Sequence, residues 1–195
     1  MEERIILAGF GGQGIMFMGK LMCFAHMNKG RYVTYIPSYG AEMRGGTANC
    51  NVIISENPIA SPLVTRATTA IVMNQPSYEK FKDSVVKGGQ LYVNTSLIEV
   101  TDAPEGVEVI SVPASKFANE MGAVRNANMI MFGAFNYLKN FLELDFLWSQ
   151  FPDFLSKEKY SKIFGHVKDA ILKGEEFARQ NYSLRKTPNV QVEKK

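Results

Sequence analysis

Gly9-Phe10-Gly11-Gly12-Gln13-Gly14 stands between a continuous apolar run and a run with helical spacing, and no other feature constrains the chain as much. Upstream, Ile5, Ile6 and Leu7 within Arg4–Ala8 read as a short buried strand. Downstream, Ile15, Met18, Leu21, Met22 and Ala25 share one face, which predicts a helix from Ile15 to Asn28. Lys29-Gly30 is a basic last turn followed by a glycine stop, and Tyr32–Ile36 reads as a second strand. Residues 4–36 are therefore expected to form one β-α-β unit with a right-handed crossover. Glycines at this junction let the backbone approach an anion closely, and the helix N-terminus favours negative charge there. The plainer alternative is a tight turn that only packs helix against strand.

Beyond Ile36 the pattern keeps alternating. Pro37 to Gly46 is a long polar loop. In Thr47–Ile54, Ala48, Cys50, Val52 and Ile54 face one side and Thr47, Asn49 and Asn51 the other, as in a strand with one wetter face at an antiparallel sheet margin. Ala70–Met73, Leu91–Asn94 and Val107–Val112 read as strands, and Ser77–Val86 as a helix ended by Lys87-Gly88-Gly89. Helices follow over Ala114–Met121, Ala127–Phe141, Asp145–Phe154 and Glu158–Gln180. This order predicts an α/β fold: a three-layer α/β/α sandwich on a mostly parallel sheet, with a helical C-terminal third. Residues 1–182 are expected to form a single domain, and 183–195 a polar, flexible tail.

Composition narrows the function. The chain has 195 residues, 46% hydrophobic and 21% charged, with a formal charge of +3. Arg185, Lys186, Lys194 and Lys195 less Glu193 account for that +3, so the rest is neutral, without the basic face of a nucleic-acid binder. No signal-peptide order opens the sequence, and no apolar run nears the roughly 18–20 residues that cross a bilayer. Neither nucleic acid nor membrane is an expected partner. The two cysteines, Cys23 and Cys50, form no C-x-x-C pair and cannot alone ligate a cluster or structural zinc. A reduced, cytoplasmic protein is expected.

Few residues could carry chemistry. A dinucleotide site wants an acid at the end of the second strand, where this chain has Tyr35-Ile36-Pro37-Ser38. Ser38-Tyr39-Gly40-Ala41-Glu42-Met43-Arg44-Gly45-Gly46 concentrates a hydroxyl, a phenol, a carboxylate and a guanidinium on one loop. Arg44 suits a phosphate or carboxylate, and Glu42 could orient it; the plain alternative is a surface ion pair of little worth. In a parallel sheet this loop and the glycine turn leave the same edge. Asn126 reads as the N-cap of the helix from Ala127, and Asn126 or Asn128 is a candidate polar contact to a ligand. His26, His166 and Cys23 read as packed or surface residues. No residue is expected to act as catalyst or metal ligand.

Two strings, Ala8–Gly14 and Tyr39–Cys50 with its E-M-R-G-G core, resemble the gamma subunit of 2-oxoacid:ferredoxin oxidoreductases. Val112-Pro113-Ala114 and Asn128–Ala134 are similar to that family too, so the resemblance spans roughly residues 4–180. It is nearest to the 2-oxoglutarate and 2-oxoisovalerate branches, with the pyruvate enzymes and the small subunit of the indolepyruvate enzyme as relatives. The resemblance implies a non-catalytic subunit of a complex that converts a 2-oxoacid and coenzyme A to acyl-CoA. Thiamine diphosphate, magnesium and [4Fe-4S] clusters would then sit on alpha, beta and ferredoxin-like delta partners. Coenzyme A is a candidate ligand of Gly9, Gly11, Gly12, Gln13 and Gly14, with Ser38, Tyr39, Glu42, Arg44, Gly45, Gly46, Asn126 and Asn128 around it. An isolated chain could form a homodimer through surfaces meant for partners. The competing reading is a free-standing nucleotide- or cofactor-binding enzyme that uses the Gly9–Gly14 turn.

Overall fold

The computed structural model describes residues 2–39 and 47–183. Six strands, β1 (Glu2–Phe10), β2 (Tyr32–Tyr39), β3 (Thr47–Ser55), β4 (Ala67–Val72), β5 (Val85–Asn94) and β6 (Glu108–Val112), form one sheet in the order β2-β3-β1-β4-β5-β6. Strands β1, β4, β5 and β6 run parallel, and β3 is antiparallel to both β1 and β2. The helices are α1 (Ile15–Asn28), α2 (Gln75–Phe81), α3 (Ala114–Glu120), α4 (Ala127–Lys139), α5 (Leu144–Phe154) and α6 (Lys157–Asn181). None of them is long and apolar enough to cross a membrane.

The sandwich is lopsided. Strand residues Leu7, Cys50, Ile71 and Tyr92 meet residues of α1, α3, α4, α5 and α6 in the larger core. On the opposite face, Ile6, Ala8, Val72 and Val93 are covered by Tyr78 of α2 and by loop residues such as Val64 and Ile98. β4 reads Ala-Thr-Thr-Ala-Ile-Val and every residue is buried, as a strand covered on both faces requires.

Two expectations are corrected. The antiparallel strand is not at the margin: β3 is inserted between β1 and β2, and β2 holds the edge. The edge position is what lets β2 run through Pro37 to Tyr39, since an edge proline has no ladder bond to lose. The helix expected to reach Val86 ends at Phe81, followed by a single tight turn over Lys82–Ser84, and Val85 already belongs to β5. Lys87-Gly88-Gly89 is an irregularity inside that strand. Gly88 takes φ +79° and donates to the Gly106 carbonyl at 2.7 Å, and the β4–β5 register shifts between Ala67 and Thr69.

At the amino edge of the sheet, His26 is 7% exposed and its ring lies 4.3 Å from that of Phe141. Neither ring nitrogen has a hydrogen-bond partner. Burial, with help from Lys29 and Arg31, lowers its pKa to about 4, so the imidazole is neutral at pH 7. The unfolded chain takes up the proton first as pH falls below the free value. Stability is therefore complete above about pH 6.5 and declines towards pH 4, by about 3 kcal/mol in all. Denaturant titrations at about pH 7 and about pH 4.5 should show this loss, and His26→Phe should flatten it.

Candidate functional site

The connections of β1 and β4 leave the sheet on opposite faces: α1 packs into the larger core and α2 into the smaller. The gap between the carboxyl ends of these adjacent strands is the place where open α/β sheets hold ligands. The glycine turn borders it. Gly9 has no room for a Cβ, which would fall 2.7 Å from Gln13 Oε1. Gly11 and Gly12 face open space, and Gly12 takes φ +96°. Gly14 immediately precedes α1 at φ +73°; no side chain caps that helix and its first turn carries no acid. Its first N–H groups and its dipole are thus presented at the edge for an acceptor.

The inner side of the turn is filled by the chain itself. Phe10 N–H donates to Gln13 Oε1 at 2.7 Å, and Asn74 Nδ2 donates to the same oxygen at 3.1 Å. Gln13 Nε2 reaches the Met73 carbonyl at 3.4 Å. Asn74 Oδ1 also caps α2, accepting from Ser77 N–H at 2.9 Å. Asn94, at the end of β5, donates to the Met73 carbonyl at 3.3 Å and to Ser115 Oγ at 2.9 Å. A row of neutral carboxamides therefore ties the ends of β1, β4 and β5 together.

Asn128 joins α4 to this edge. It is 3% exposed and donates from Nδ2 to the Gly14 carbonyl at 3.0 Å, while its Oδ1 is buried without a partner. Asn126 precedes α4, but its side chain makes no capping bond; its N–H goes to the Ala123 carbonyl at 2.8 Å and closes a tight turn. Asn126 thus holds the N-cap position without capping, because φ −101° and ψ 12° keep it in that turn and not in extended backbone.

Of the other expected site residues, Ser38 is exposed opposite Asn49, which itself pairs with Ala8. It therefore lies two strands from Ala8, roughly 9–10 Å away, with the turn beyond that. Tyr39 pairs through its backbone with Ala48, and Thr47 with Phe10, so the ends of the loop flank the turn at one edge. Gly40, Glu42, Arg44, Gly45 and Gly46 lie outside the described residues, as do residues 184–195. Asn74 and Asn94 were missed by sequence reasoning. Asn74-Gln75-Pro76 carried a usable signal, a capping residue followed by an early proline.

Both thiols are buried in the core. Cys23 contacts the Thr34 carbonyl at 3.6 Å and Cys50 the Ile15 carbonyl at 3.8 Å. Burial pushes each thiol pKa up to about 12, which makes them poor nucleophiles near neutral pH. Among the described residues no group of three or more His, Cys, Asp or Glu side chains converges.

Among the described residues the crevice is lined by backbone N–H groups and carboxamides, at the position where open α/β sheets hold ligands. The chain belongs to the pyruvate ferredoxin/flavodoxin oxidoreductase family, whose profile matches residues 4–175. It is 34% identical over 182 residues to ketoisovalerate oxidoreductase subunit VorA of Methanothermobacter thermautotrophicus, covering 92% of this chain and 37% of VorA. It is 31% identical over 179 residues to 2-oxoglutarate synthase subunit KorC of Methanocaldococcus jannaschii, covering 90% of this chain and 87% of KorC. The 2-oxoglutarate:ferredoxin oxidoreductase of Magnetococcus marinus, solved with 2-oxoglutarate, coenzyme A and succinyl-CoA bound, superposes with TM-score 0.82 at 25% identity. That match covers 96% of this chain and 33% of the other. The gamma subunit of a keto/oxoacid ferredoxin oxidoreductase from Geobacter sulfurreducens shares the fold, with TM-score 0.75 at 22% identity over 91% and 99% of the two chains. The chain thus spans little more than a third of VorA but most of KorC.

Proposed function

We propose that this chain is a non-catalytic subunit of a 2-oxoacid:ferredoxin oxidoreductase, a cytoplasmic complex in which a 2-oxoacid and coenzyme A yield acyl-CoA and carbon dioxide while ferredoxin takes up the two electrons. Thiamine diphosphate, magnesium and iron–sulfur clusters belong, in this reading, to alpha, beta and delta partners. This chain supplies docking surface and one wall of the coenzyme A approach. The observation that carries the proposal is the carboxyl edge itself. Backbone donors at Gly11, Gly12 and the start of α1 stand beside a row of neutral amides, which suits holding an anion. Arg44 and Glu42 are proposed as further contacts, on the loop whose ends flank the turn.

The free-standing nucleotide enzyme has less support. A dinucleotide site wants an acid at the end of β2, where Ile36-Pro37-Ser38 stands instead.

Gly12→Asp in the isolated complex tests the coenzyme role. Gly12 meets no atom that a Cβ would touch, so the added carboxylate enters open space; because φ +96° strains any side chain there, kinetics are compared on variant complex whose assembly and melting temperature have been checked. The expected result is a KM for coenzyme A raised about tenfold, with kcat at saturation and the KM for the 2-oxoacid little changed. An unchanged KM for coenzyme A removes the turn from the coenzyme path.

A further inference from the structure

We propose that the trough between α1, α5 and α6 is the seat of an acidic, apolar segment of a partner subunit. The trough encloses about 570 Å³ and is lined by Phe17, Phe154, Leu155 and Ile163, with Lys20 and Lys159 at its rim. Phe17 and Phe154 meet edge to face with centroids 5.3 Å apart, a fixed aromatic anchor of the kind that dominates interface energetics.

The charged side chains that line it are of one sign. Its lining contains no carboxylate, and among the described residues neither Lys20 nor Lys159 has an ion-pair partner. The N-termini of α1 and of the 25-residue α6 lie at this trough; α1 carries no acid in its first turn, while α6 carries Glu158, itself paired with Lys162, so α1 adds the positive end of a helix dipole. An apolar floor under unpaired positive charge is complementary to aliphatic or aromatic side chains flanked by Asp or Glu. A small anion is the poorer occupant, because such ligands bind where a pocket encloses most of their surface and this one is an open trough. A second consideration comes from chain length: VorA carries the counterpart of this chain as 37% of a longer polypeptide, so there the domain has covalent neighbours to pack against.

The inference rests on the proposed function and is tested in the native complex. The tagged chain and its Lys20→Glu/Lys159→Glu variant are isolated from the organism that makes them, and the bound subunits are identified by mass spectrometry. Both substitutions lie on exposed side chains, so an unchanged melting temperature is expected. The wild type should retain thiamine-diphosphate and iron–sulfur subunits. The variant should retain about tenfold less of them, with Lys20→Arg/Lys159→Arg restoring the wild-type level. Equal retention by wild type and the Glu variant overturns the trough while leaving the functional reading in place. Full assembly with a raised KM for coenzyme A overturns it in favour of a small anion. A dimer of the isolated chain that the Glu variant dissociates overturns it in favour of a second copy. A wild-type chain that brings no such subunits defeats the functional reading and this proposal with it.

Discussion

Gly174→Ala is expected to cost about 3 kcal/mol, whereas Gly165→Ala nine residues earlier in the same helix should stabilise the protein by about 0.5–1 kcal/mol. The contrast follows from the crossing of α4 and α6. A Cβ on Gly174 would overlap the Ile130 carbonyl of α4 and approach Ala134 N to 2.9 Å. The reciprocal contact exists at Gly133, whose Cβ would overlap the Ile171 carbonyl of α6. The obstacles are backbone atoms, so no rotamer change relieves them; the helices must separate, and apolar packing across α4 is lost with them. Gly165 has nothing within 4 Å, so there the gain in helix propensity acts alone. Chemical denaturation of the three proteins measures both signs. Equal effects at the two positions would show that the α4–α6 approach is not as close as described.

Gly14→Ala should cost about 2–3 kcal/mol, from two separable sources. One is backbone strain at φ +73°. The other is overlap between the new Cβ and the Asn128 carboxamide, which is held against Gly14 by its bond to the carbonyl. Asn128→Ala alone should cost about 1 kcal/mol for that bond. The double variant should be less destabilised than the sum of the singles, because the clash needs both side chains; strain alone would give additivity. Circular dichroism melts of the four proteins close the cycle.

Much of the architecture was legible because hydrophobic period and glycine position agree locally. β1, the glycine turn and α1 were readable from Ile5-Ile6-Leu7, Gly9–Gly14 and the Ile15-Met18-Leu21-Met22 face alone. What was not legible depends on partners far along the chain. Gly88-Gly89 punctuates equally well as a helix stop or a strand irregularity, and only the bond to Gly106 decides between them. The alternation in Thr47–Ile54 predicted one wetter face, yet Asn49 and Ile53 on that side are buried because β3 lies inside the sheet, and the pattern could not say that β1 would pair with it. At the site, the turn was found, yet its contents were not. Gln13 folds inward because Asn74, sixty-one residues away, meets it, and no local pattern encodes that meeting. Asn128 was singled out as a polar contact at a helix start; its actual bond, to Gly14, spans 114 positions.

The place of β1 in the sheet has a consequence for vectorial synthesis. Ile5 pairs with Val52 on one side and Thr69 on the other, so this strand waits for two segments translated well after it before it is flanked. Such non-local closure is slow, and a nascent chain that ends before β4 leaves Ile5–Ala8 with a bare edge open to wrong associations. The glycine turn that follows β1 cannot take its final shape until Asn74 has emerged, which makes the carboxyl edge a later product of folding than its motif's place in the chain suggests.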